Sequence, residues 1–88
     1  MKEKELVKIL KALANRRRLA ILFVLKNNKE LTVGCIAEKI KLSFKSTSKH
    51  LLILSSVDIV EKDQKNTQMF YRISPSVSET VRKIILLL

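Results

Sequence analysis

LSFKSTSKHLLIL, residues 42–54, is the stretch that decides the fold. Ser43 carries a short hydroxyl able to accept from the free N–H groups at a helix start. Thr47, Leu51 and Leu54 follow at the i, i+4, i+7 spacing of one buried helical stripe. Between them lie Lys45, Ser46, Ser48, Lys49 and His50, and no acid follows until Asp58. A helix with one apolar face and a short, polar, cationic opposite face suits the DNA major groove. There Ser and His reach base edges while Lys neutralises phosphate. The same pattern also fits an amphipathic surface helix with a solvated polar side, so the flanking chain has to decide.

Upstream, residues 3–14 place Leu6, Ile9, Leu10 and Leu13 on one helical face, with Lys4, Lys8 and Lys11 on the other. Asn15 is a natural cap for a second helix, about Arg16 to Lys26. Ala20 and Phe23 make that helix apolar nearly all round, which predicts burial on more than one side, with a second subunit as one cover. The Arg16–Arg17–Arg18 cluster opposes the helix dipole; either a polyanion or screening by solvent lets it stand. After a polar turn over 27–31, Thr32 caps a short third helix with Ile36, Ala37 and Ile40 facing inward. Cys35 is expected among them as a small buried hydrophobe, with a redox-sensing thiol as the alternative. A turn across Lys41–Leu42 joins this helix to residues 43–54, a helix-turn-helix arrangement.

Downstream the period changes. Residues 59–63 and 68–73 are two short runs, and in the second Met69, Tyr71 and Ile73 alternate with Gln68, Phe70 and Arg72. Residues 64–67 join them as a turn in which Asn66 can take a left-handed conformation. The result is a β-hairpin with Lys62, Gln64 and Lys65 at its tip, and with Phe70 and Tyr71 as hairpin core rather than a base-stacking platform. Ser74–Pro75 is expected to open a last helix, Pro suiting the first helical position. Its stripe of Val77, Val81, Ile84, Ile85 and Leu88 needs something to cover it. The fold class is therefore mainly α with a small β-hairpin: a single winged helix-turn-helix domain over 1–88, in the order α-α-α-α-β-β-α.

The chain has 88 residues and a net charge of +10. Residues 1–54 carry thirteen cations against four acids, and residues 55–88 five against four, so the charge sits with the helix-turn-helix. Such an excess draws polyanions, either nucleic acid or an anionic membrane surface. A lone cysteine fits a reducing compartment. No apolar run approaches a membrane span, and Lys8 and Lys11 interrupt any signal-peptide core. These features predict a soluble, cytoplasmic protein with no membrane partner. An enzyme is not expected: there is no paired carboxylate motif, no Gly-rich phosphate loop and no legible Ser-His-acid or Cys-His setting.

The residues LKALANRRRLAIL (10–22), ELTVGCIAEKI (30–40), LSFKSTSKHLLIL (42–54) and IVEKDQKNTQMFYRI (59–73) resemble, in order and spacing, the arsenic-repressor (ArsR) family of winged-helix regulators. The resemblance covers roughly residues 6–85 of the chain. It implies a homodimer built from the first and last helices that represses transcription at a near-palindromic operator. Many members hold a thiophilic metal with a Cys-Val-Cys set at the start of the third helix, where this chain has Thr32 and Gly34. Others use His and acidic ligands on the last helix, which here offers only Glu79. Metal sensing is not carried over, and no metal or cofactor is expected; an effector is unknown. Phe44 and Leu52 stand where the family usually has polar or basic residues, and could touch thymine methyls or face a protein. Asn66 replaces the hairpin-tip glycine, and Glu61 and Asp63 dilute the basic wing.

The expected function is sequence-specific binding of double-stranded DNA by a homodimeric transcriptional regulator, most simply a repressor. Residues 43–54 would read the major groove through Ser43, Lys45, Ser46, Ser48, Lys49 and His50, the last with a packing or capping role as its alternative. The wing, residues 60–72, would reach the backbone and minor groove through Lys62, Gln64 and Lys65. Leu6, Ile9, Leu10, Val77, Val81, Ile84, Ile85 and Leu88, on terminal helices 3–14 and 75–88, are the candidate dimer residues. The competing function is a winged-helix protein–protein assembly module with only non-specific DNA affinity.

Overall fold

Five helices and a three-stranded antiparallel sheet follow one another in a computed structural model that describes residues 1–88. They are α1 (Glu3–Leu13), α2 (Arg16–Lys26), β1 (Leu31–Thr32), α3 (Val33–Ile40), α4 (Phe44–Ser56), β2 (Val60–Lys65), β3 (Gln68–Ile73) and α5 (Glu79–Leu86). Each helix start from α2 onward has a chemical cause. Asn15 Oδ1 accepts from the N–H groups of Arg17 and Arg18, Thr32 caps α3 through Cys35, and Ser43 caps α4 through Ser46. Helices α3 and α4 both end in paired backbone bonds around a left-handed residue, Lys41 (φ 56°) and Asp58 (φ 58°). Leu42 N–H reaches the Ala37 carbonyl, and Ile59 N–H reaches that of Leu54. The first of these turns sets α3 against α4; the second sends the chain into the sheet.

Helix α2 runs through the middle, packing on α3, α4, α5 and β3. Its Ile21 and Leu22 join Ile36 of α3, Leu51 and Leu54 of α4, and Ile59 in a core almost wholly shut off from solvent. The expected burial of α2 on several sides is thus met largely within one chain, and Phe23 remains half exposed. Thr47 is fully buried but satisfied, its hydroxyl donating to the Ser43 carbonyl at 2.8 Å.

The sheet order is β1-β3-β2, with Leu31 opposite Tyr71 and Val60 opposite Ile73. Strand β1 is an addition to the expected order; at two residues it is too short to show a period. The hairpin turn is narrower than expected: Lys65 pairs with Gln68, leaving Asn66 and Thr67, with Asn66 at φ 58°.

Two expectations are corrected. The last helix starts at Glu79 under a Ser78 cap, not at Pro75. Ser74 Oγ instead accepts from Ser76 N–H, closing a local turn that uses up this potential cap before any helix begins. Cys35 is exposed, not buried. Val33, Ile36, Ala37 and Ile40 form the inward stripe of α3, and a residue two places after Val33 falls on the opposite face.

Candidate nucleic-acid interface

Helix α4 turns Thr47, Leu51 and Leu54 into the core, which leaves Lys45 and Lys49 on its exposed side. Ser46 and Ser48 lie half-buried along the flanks of that side. Ser43 is exposed, but its oxygen already accepts from Ser46 N–H at 3.1 Å; its proton remains free to donate. No acid lies on α4, so no carboxylate offsets the lysines of its outer face.

His50 is half-buried and tied to another helix. Its Nδ1 lies 3.1 Å from Arg18 Nη1. A guanidinium can only donate, so Nδ1 accepts and the ring proton sits on Nε2, the atom left for a partner. Burial, then the charges of Arg18 and Arg17, hold the imidazole below its ordinary value and keep it neutral. The rest of the Arg18 fork bonds the last carbonyls of α1: Nε to Ala12 and, at 3.1 Å, Nη2 to Lys11. One of the three clustered arginines is therefore a structural strap, while Arg16 and Arg17 stay exposed or nearly so. The sequence leaves these roles undecided. The available signal is an Arg placed just after a helix C-terminus, whose orphan carbonyls need donors.

The wing's charges are mostly spent on itself. Arg72 meets Glu61 at 2.8 Å and Asp63 at 3.5 Å, so the two acids that dilute the wing are answered within the hairpin. Lys65 is held by both oxygens of Glu30 at 2.8 Å and lies 5.5 Å from the centre of the Phe70 ring. Lys62 is exposed with no acid partner, and Gln64 is exposed on the same strand. Phe70 and Tyr71 are partly buried, and Tyr71 packs on the main core.

The candidate dimer residues divide. Val81 and Ile85 are within the chain's own core, and Ile9, Val77, Ile84 and Leu88 pack against it. Leu6 and Leu10 keep 40% and 48% of their surface exposed. Val7 on the same helix, and Leu86 and Leu87 at the other end of the sequence, are also exposed. Half-exposed Phe23 of α2 lies near Leu88 along a shallow groove.

Thr32 spends its hydroxyl on capping α3, and no three His, Cys, Asp or Glu side chains come together within the chain. No helix is long and apolar enough to cross a membrane.

The sequence pattern of bacterial regulatory proteins of the arsR family matches residues 15–62. The transcriptional activator HlyU of Vibrio cholerae serotype O1 is 40% identical over 68 residues, covering 77% of this chain and 62% of HlyU. The match thus spans somewhat under two thirds of that relative. The structure of reduced HlyU from Vibrio cholerae superposes with a TM-score of 0.82 at 38% identity, over 97% of this chain and 85% of the other. A homodimeric winged helix-turn-helix DNA-binding domain from Mycobacterium bovis, a possible ArsR-family regulator, gives 0.83 at 33% identity, over 96% and 74%. The transcriptional repressor PagR of Bacillus anthracis gives 0.80 at 26%, over 96% and 92%.

Proposed function

The chain belongs to the arsR family of bacterial regulatory proteins, and from that premise we propose that it is a homodimeric, sequence-specific DNA-binding transcriptional regulator of the cytoplasm rather than an enzyme. The observation that carries this is α4: the second helix of a helix-turn-helix, free of acids, with Lys45 and Lys49 exposed along its outer side. Its polar residues contact base edges and phosphates in the major groove, and Arg17, whose charge acts on His50, reaches the flanking backbone. Lys62 and Gln64 of the wing meet the neighbouring backbone or minor groove. Two copies joined through Leu6, Leu10 and the exposed C-terminal leucines present two such helices to a near-palindrome. Among the relatives HlyU is named an activator and PagR a repressor. Repression is the simpler mode, since a dimer seated on a promoter excludes polymerase without touching it.

The test is Lys49→Glu. The exposed position lets the variant fold normally, while the reversed charge faces phosphate. Loss of operator binding with an unchanged melting curve supports the proposed reading helix, and normal affinity refutes it.

A further inference from the structure

Phe44 is the first residue of α4, and 62% of its surface is exposed. It shares a helical face with Thr47 and Leu51 but stands a turn before Thr47, the first buried residue of the helix. Its neighbours along the chain are cationic: exposed Lys41 three residues before it and exposed Lys45 beside it. A protein partner covering this aromatic would also have to desolvate those lysines, and Lys is depleted from the centres of protein interfaces. A polyanion that carries an apolar spot fits better. In the DNA major groove that spot is the C5 methyl of thymine, and residues at the N-terminus of a recognition helix reach base edges there.

We infer that Phe44 is a specificity-determining residue whose ring packs on a thymine methyl, making a T·A pair the preferred letter at one position of each half-site. The inference rests on the DNA-binding function proposed above and adds to it what one position reads. The ring contributes no hydrogen bond. It discriminates by burying a methyl that the other three bases lack at that place in the groove.

The experiment keeps the two levels apart. An operator is first selected from a random double-stranded pool with the wild-type protein. Each thymine of one half-site is then replaced by uracil, which keeps base pairing and removes only the methyl. One substitution is expected to weaken wild-type binding by about fourfold, the ratio that corresponds to burying one methyl group fewer. In Phe44→Ala the same substitution is expected to change nothing, and in Phe44→Leu to retain part of the penalty. Circular dichroism checks that each variant folds, and an exposed first-turn side chain is dispensable for that. If no uracil weakens the wild type, or if the penalty persists in full in Phe44→Ala, the assignment of Phe44 is overturned and DNA reading stands. If selection enriches no sequence, the DNA-reading function itself fails and the inference goes with it.

Discussion

Arg18 Nη1 lies 3.1 Å from His50 Nδ1, a link across 32 residues of sequence that ties the start of α2 to the proposed reading helix. Because the same guanidinium bonds the Lys11 and Ala12 carbonyls, one side chain joins the end of α1, the start of α2 and the middle of α4. The helix proposed to serve the dimer and the helix proposed to serve DNA are thereby held in one relative orientation.

Arg18→Ala should therefore cost stability. It leaves three acceptors without their donor at once, and a drop of roughly 1–3 kcal/mol is expected for hydrogen bonds from a charged group. At ~4–8 °C per kcal/mol for a domain of this size, thermal melting reads the change easily. Arg18→Lys should recover only part of it, since an ammonium lacks the planar fork. A melting temperature unchanged in both variants would show that the strap does not hold the helices.

The same link makes stability depend on pH. In the folded chain His50 is held below its ordinary 6.5, by burial first and then by Arg18 and Arg17. The unfolded chain thus takes up this proton at higher pH than the folded one. The contribution is fully present above about pH 6.5 and is lost as pH falls through the depressed folded value. Melting temperature should drop on going from neutral to mildly acidic buffer, and His50→Gln, which keeps an acceptor for Arg18 but cannot titrate, should drop less. Equal slopes for the two proteins would count against the assignment.

Much of this structure is legible in the sequence, and what escapes does so for physical reasons. Thr47, Leu51 and Leu54 announce α4 because helical periodicity over thirteen residues is a strong signal. Asn66 announces the hairpin turn because few residues other than glycine take a left-handed backbone readily. Cys35 escapes because residue type argues for burial where helical phase decides it. Pro75 suits a helix start by a local rule, yet Ser78 offers the cap that is used. The pairing of Lys65 with Glu30 joins residues 35 apart, and no spacing rule reaches across that distance.

That pairing separates two residues the sequence treats alike. Lys62 stands free, whereas Lys65 must leave Glu30 before it can meet a phosphate. Lys62→Ala should lower the slope of log affinity against log salt by about 0.9 for each phosphate it no longer neutralises. Lys65→Ala should lower it less. Titrations at several salt concentrations check this, and a larger change from Lys65 would reverse the assignment.

The dimer face is testable at Leu10, which keeps 48% of its surface exposed while its neighbours Ile9 and Leu13 pack inward. Leu10→Glu should leave the fold intact and shift the protein toward monomer in sedimentation. Operator affinity should fall with it, since each half-site would then be bound alone. A variant that remains dimeric would move the interface off α1.

The face of α4 that carries Lys45 and Lys49 is proposed to read DNA specifically. The most direct test is fluorescence anisotropy with labelled DNA from the protein's own upstream region, or with an operator selected from random sequence, against shuffled DNA across a salt series. A preference of about 10³-fold or more at physiological salt is the predicted result. Equal, steeply salt-dependent binding to both DNAs, with no sequence enriched by selection, would contradict it and leave a basic protein that meets any polyanion.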